Sequence, residues 1–167
     1  RNAEAAFQAL KFWTQADKFA ELSADEAFRY KRSLQGQEDF MYAGYGSNWN
    51  GMMAVLESKF RPGSPFAEGL LQTGDAFLLE HNAVSGRDKI WSDNCDGEGT
   101  NWLGLQLLLL RDRLSGRRAW TAFAEGLVKL DTGRPIGRNQ AKAWQEAVRG
   151  AAAALAAELA ARPPEEL

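Results

Sequence analysis

The run from Trp102 to Leu114 is the strongest constraint on the fold, because it repeats apolar residues too densely for a helix with a broad solvated face. It ends in Arg111, Asp112 and Arg113, so the spacing predicts a buried helix with a charged last turn. The rest of the chain must supply that helix with neighbours. Leading into it is a loop, Ile90 to Gly104, that alternates acids with glycines at Asp96, Gly97, Glu98 and Gly99. Such glycines let a ligand approach the main chain closely. Thr100 or Asn101 is placed to cap the helix, whose first amides would then face the loop and hold a phosphate or developing oxyanion. A calcium loop is the competing reading, but the acids lack EF-hand spacing and no Glu follows at the required offset. A purely structural connection is the other.

With 167 residues the chain suits one domain with a true core. Its net charge of -2, from 20 basic and 22 acidic side chains, argues against coating a duplex by bulk charge. Cys95 is the only cysteine and His81 the only histidine, which removes an internal disulfide and any Cys- or His-rich metal site. No metal and no cofactor are expected. No apolar segment reaches membrane-spanning length and no secretory pattern is visible, so the expected location is cytoplasmic or otherwise intracellular, with no membrane partner. The chain opens on Arg1, as a trimmed polypeptide would.

Apolar periodicity predicts a first helix over Ala3 to Ala20. Ser23 and Glu26 form a capping box opening a second helix, Ala24 to Leu34. A loop holding Tyr42 and Tyr45 precedes a helix from Asn48 or Asn50 through Phe60, then one over Pro65 to Gln72 closed by Thr73-Gly74. Ala76 to Glu80 reads as a short strand, and Lys89-Ile90-Trp91 as its partner after a turn at Ser85-Gly86. Trp120 to Val128 is helical, and an Ala-rich last helix capped by Asn139 ends before Pro163. That last helix reads as a packing surface or an oligomer contact. The expected class is therefore mainly α with a small β component, an α+β fold.

On the first helix Glu4, Gln8 and Lys11 recur at i, i+4 and i+7, so a carboxylate, an amide and an amine share one stripe. That stripe is either a solvated edge or the lining of a polar pocket. His81, with no metal or triad partner nearby in sequence, reads as a hydrogen-bonded structural residue.

The run Ala3-Glu4-Ala5-Ala6-Phe7-Gln8-Ala9-Leu10-Lys11-Phe12 resembles the first signature of the NADAR family, which includes the YbiA-like proteins. Leu70-Leu71-Gln72-Thr73-Gly74-Asp75 with Leu78-Leu79-Glu80-His81 resembles its middle signature. Trp91-Ser92-Asp93, Asp96-Gly97, Gly99, Asn101, Leu103 and Gly104 resemble its third. The three occur in the family's order over roughly Ala3 to Leu114. The resemblance implies a compact helical fold with a few short strands, residues 1–115 forming the catalytic region and 116–167 a helical extension packed on the same domain. It implies an N-glycosidase, most simply one removing ADP-ribose from guanine in DNA or RNA. A phosphoribosylamino-pyrimidine intermediate of riboflavin synthesis is the alternative substrate, and a non-catalytic ADP-ribose or nucleotide-binding module the alternative class. Glu4, Lys11 and Asp93 fall on the expected catalytic positions and Trp91 lines the pocket. Trp49 is a candidate for base stacking, and Arg29 and Arg32 for phosphate binding. Gln8, Glu80, Gly97, Gly99, Asn101 and Gly104 complete the implied substrate-binding set.

Cleavage of a C1′–N bond builds positive charge on the ribose, so a carboxylate beside C1′ stabilises the transition state and orients water. Lys11 beside Glu4 would protonate the leaving nitrogen or attack the sugar as an amine. Members of the family usually carry an upstream strand-rich segment that walls the pocket, and this chain begins after it. Ser92 stands where glycine is usual, Asn94-Cys95 replace a glycine pair, and Ala5 replaces a histidine of some members.

Overall fold

The computed structural model describes residues 2–161; Arg1 and Pro163, on which expectations rested, lie outside them. The chain divides into two compact units at Gly69/Leu70, a boundary inside one helix.

The first unit is built on α1 (Ala3–Lys11), α2 (Ala16–Glu21), α3 (Ala24–Ser33) and α4 (Asn48–Lys59), and α1 packs against the other three. α5 (Pro65–Gln72) matches its predicted bounds. The single helix expected over Ala3 to Ala20 is broken. Phe12 leaves helical geometry at φ -126°, ψ 59°, and a 3-10 turn over Trp13–Gln15 leads into α2. Two side effects hold the break. The Phe12 ring turns inward to stack on Phe19 at 6.0 Å, and the carbonyl of Lys11 accepts from the Asp39 amide at 2.7 Å instead of continuing the helix. Ala5, Phe12, Phe19, Ala27 and Leu34 form the resulting core. α3 starts where its sequence says, because Ser23 accepts from the Glu26 amide while the Glu26 carboxylate takes the Ser23 amide.

The second unit is organised by α6 (Trp102–Ser115), whose Leu105, Leu108, Leu109 and Leu110 are buried, followed by α7 (Ala119–Glu125) and α8 (Arg138–Ala161). Phe77, Trp120, Phe123 and Trp144 pack as an aromatic cluster with centroids 5.7–6.5 Å apart. The Arg111 side chain is also buried and donates to Thr73 Oγ1 at 2.6 Å and to the Ala76 carbonyl at 2.7 Å. Gly116 closes α6 in the left-handed conformation.

The expected β component is overturned. Among the described residues there is no strand and no sheet, only one isolated antiparallel bridge between Val128 and Pro135. Residues 76–82 do run without helix, but their polar backbone is met largely by side chains, with the Asp93 amide on the Glu80 carbonyl, and by no neighbouring strand. Asn101 Nδ2 donates to the Leu78 carbonyl at 2.9 Å and its Oδ1 accepts from the Glu80 amide at 2.9 Å. Lys89 to Trp91 is likewise no strand; its carbonyls are used on the start of α6, as described below. The protein is all-α in class. No helix among the described residues is long and apolar enough to cross a membrane.

Candidate functional site

Within the second unit the site residues are gathered by one loop that is bonded throughout. Asp88 Oδ1 accepts from the amides of Ile90 and Trp91, at 3.0 and 2.9 Å. Carbonyls of Lys89, Ile90, Trp91 and Ser92 accept in turn from the amides of Thr100, Trp102, Leu103 and Asn101, all between 2.9 and 3.1 Å. The first amides of α6 are therefore occupied by the loop itself, which corrects the expectation that they stand ready for a phosphate or oxyanion. Asn101 does not cap α6 with its side chain; that side chain is turned onto residues 78–80.

The glycines are closely approached, but by protein and not by a ligand, which corrects the expectation for Gly97 and Gly99. A Cβ on Gly99 would lie 2.0 Å from the Ser92 carbonyl oxygen, and one on Gly104 would lie 2.2 Å from that of Leu78. Gly97 faces the backbone of Arg149 on α8. α8 clasps this stretch from outside: Gln145 Nε2 donates to the carbonyls of Gly97 and Gly99, Trp144 Nε1 to that of Thr100 at 2.8 Å, and Arg149 pairs bidentately with Glu98 at 2.6 and 2.8 Å. The C-terminal helix thus shapes the loop, a role its alanine-rich composition concealed.

Asn94 and Cys95 take left-handed backbone with φ of 61° and 75°. Asn tolerates this better than most side chains, and its Oδ1 accepts from the Gly86 amide at 2.7 Å. Cys95 has no such compensation among the described residues. Cys95→Gly is expected to raise stability by about 1 kcal/mol, read as a higher urea midpoint at unchanged slope.

Asp93 is the centre of this arrangement, 0% exposed, with its amide bonded to the Glu80 carbonyl at 2.9 Å. Its Oδ1 accepts from the amides of Asn82 (3.0 Å) and Cys95 (2.9 Å), and its Oδ2 meets His81 Nδ1 at 2.8 Å. Burial alone would raise the carboxyl, but the His81 ring and the two amides outweigh it and hold Asp93 below the usual aspartate range. Glu80 goes the other way: although the residue is exposed, partial desolvation of its carboxyl, then the charges of Asp88 and Asp93, hold it above the usual glutamate range. Trp91 stands edge-on to Trp102 at 5.6 Å. Sequence reasoning left His81 outside the site; the signal that finds it is spatial, since its partner lies twelve residues away.

In the first unit the stripe on α1 is only partly joined. Glu4 Oε1 accepts from Gln8 Nε2 at 3.0 Å and faces Lys31 Nζ at 3.8 Å. Lys11 Nζ lies over the rings of Phe12 and Phe40 at 5.7 and 6.0 Å, and no ion pair joins it to Glu4 among the described residues. Gln8 is 3% exposed and its Oε1 has no hydrogen-bond partner among those residues, so one buried acceptor remains on this stripe. Trp49 is 2% exposed and belongs to the core. Arg29 and Arg32 are exposed on α3, the latter with its guanidinium 4.8 Å over the Phe28 ring. Of the loop tyrosines, Tyr42 is buried in stacking contact with Phe7 at 5.4 Å and Tyr45 is exposed. A cleft of about 460 Å³ opens between α1 and α4, lined by Ala6, Leu10, Trp13, Tyr45 and Val55 among others, on a different stripe from Glu4, Gln8 and Lys11.

No group of three or more His, Cys, Asp or Glu among the described residues is arranged to hold a metal ion. The chain matches no family model and no solved structure. It is similar to a riboflavin biosynthesis protein of Vibrio vulnificus, with 36% identity over 91 residues. Those residues are 54% of this chain and 23% of that protein, so the chain spans under a quarter of the length of the relative it matches.

Proposed function

We propose that the protein is an N-glycosidase of the NADAR type, hydrolysing the C1′–N bond of a phosphorylated ribosyl or ADP-ribosyl substrate. The observation that carries this reading is the enclosed Asp93 carboxyl, held by two backbone amides and by His81, with the Glu80 carbonyl taking the Asp93 amide beside it. A glycosidic hydrolase uses negative charge close to the cationic sugar and a second group that handles the proton of the attacking water or leaving nitrogen. The signatures around Glu4, Lys11 and Trp91 support the same reading, with Gln8 Oε1 as an acceptor awaiting a donor and Arg29 and Arg32 as phosphate ligands.

The name of the Vibrio relative favours a ribosylamino-pyrimidine phosphate as the first substrate to try. ADP-ribose on guanine bases offers the same bond and is the second reading, supported by the family signatures. Incubation of the purified protein with each compound, followed by mass spectrometry of the released base and sugar, separates the two. Binding without release would identify a nucleotide-binding module and sink the hydrolase. Lys11→Ala is expected to lower turnover at least about 100-fold with the helical circular dichroism unchanged. A folded Lys11→Ala protein as active as the parent removes Lys11 from the chemistry.

A further inference from the structure

The one histidine of this chain is held by the one buried aspartate of its loop. His81 is itself exposed, whereas Asp93, its Nδ1 partner at 2.8 Å, is fully enclosed. An ionised carboxylate only accepts hydrogen bonds, and Asp93 Oδ1 already accepts from two backbone amides, so Nδ1 of a neutral His81 must carry the proton. The lone pair is then left on Nε2, which takes no hydrogen bond among the described residues. Glu80 and Asp88 bring further carboxyl groups to the same segment.

We infer that His81 is a catalytic residue, the general base that takes a proton from water attacking the sugar, and that Asp93 acts through it as a positioning residue. This rests on the N-glycosidase reading and assigns the aspartate a route to the substrate that its own enclosure denies it. In the step, the water oxygen bonds to C1′ as the C1′–N bond breaks and its electron pair leaves with the nitrogen. One water proton goes to Nε2. It is returned through solvent to the departing nitrogen, so the imidazole ends neutral and the sum is addition of water across the bond.

Two measurements test this, and the first needs no substrate. With a single histidine, labelling with 15N-histidine gives one imidazole, expected to show a protonated Nδ1 and an unprotonated Nε2 above the pH at which the ring loses its charge. In Asp93→Asn the amide oxygen must stay on the amides of Asn82 and Cys95, so the NH2 points at His81, donates to Nδ1 and inverts the tautomer. The fold survives that change while turnover falls on the order of 10²–10⁴-fold. His81→Ala is expected to lose turnover to the same extent and to regain part of it with added imidazole, which a merely structural histidine would not allow. A protonated Nε2 in the parent protein, or a folded His81→Ala variant with full turnover, overturns the inference. A parent protein with the expected tautomer that cleaves neither N-glycoside instead overturns the functional reading beneath it.

Discussion

Gly99→Ala unfolds or severely weakens the second unit, with a loss of at least about 3 kcal/mol in urea denaturation. The new methyl group would sit 2.0 Å from the Ser92 carbonyl oxygen, 2.7 Å from the Asp93 carbonyl carbon and 2.8 Å from the Asn94 amide nitrogen. All three are backbone atoms, so no side-chain rotation relieves the clash. To make room, residues 92–94 must move away, and the bonds from the Gly99 amide to the Asp93 carbonyl and from the Asn101 amide to the Ser92 carbonyl go with them. The same substitution at Gly150, in the interior of α8 with nothing within 4 Å, is expected to stabilise by about 0.5–1 kcal/mol through helix propensity. Opposite signs from one chemical change separate steric closure at Gly99 from any general effect of added bulk. An unchanged urea midpoint for Gly99→Ala would show that the loop is not packed as described.

Asp93→Ala is the second large effect, a loss of about 3 kcal/mol, whereas Asp93→Asn loses far less. Alanine abandons the amides of Asn82 and Cys95 in a site closed to solvent, and unpartnered buried donors are expensive. Asparagine keeps an oxygen for both. The pH dependence has a definite sign. Because the folded carboxyl lies below its ordinary value, Asp93 contributes its full stabilisation above about pH 4, and that contribution is lost as the pH falls through the folded value. Parent and Asp93→Asn stabilities should thus differ most at neutral pH and converge in acid. Denaturation midpoints that keep a constant gap between pH 7 and pH 3 would contradict the assignment.

What could be read from the chain alone follows a physical line between local and distant partners. The Ser23–Glu26 capping box, the Pro65–Gln72 helix and the buried run of α6 depend on residues within a turn or two of each other, and they stand as their sequences predict. The break at Phe12 was not legible, since periodicity alone cannot reveal that the Asp39 amide will take the Lys11 carbonyl. Ala76 to Glu80 has strand composition, and its backbone did require partners. Those partners proved to be the Asp93 amide and, more than 20 residues further on, the side chains of Asn101 and Arg111, so β propensity pointed to the need for pairing but not to how it is met. At the site, the sequence identified Asp93 and the glycines as significant. It could not reveal that the glycines receive protein backbone, or that Asp93 holds the histidine set aside as structural.

The pairing of residues 89–92 with 100–103 has a consequence for how the molecule breathes. Four consecutive amides, those of Thr100 and Asn101 just before α6 and of Trp102 and Leu103 in its first turn, are all donated to carbonyls of the preceding loop. In deuterated water those amides should exchange as slowly as the core of α6, and open together with it, while the amide of Arg87 at the rim, bonded at 3.4 Å, exchanges first. The acidic loop and the buried helix then behave as one cooperative piece.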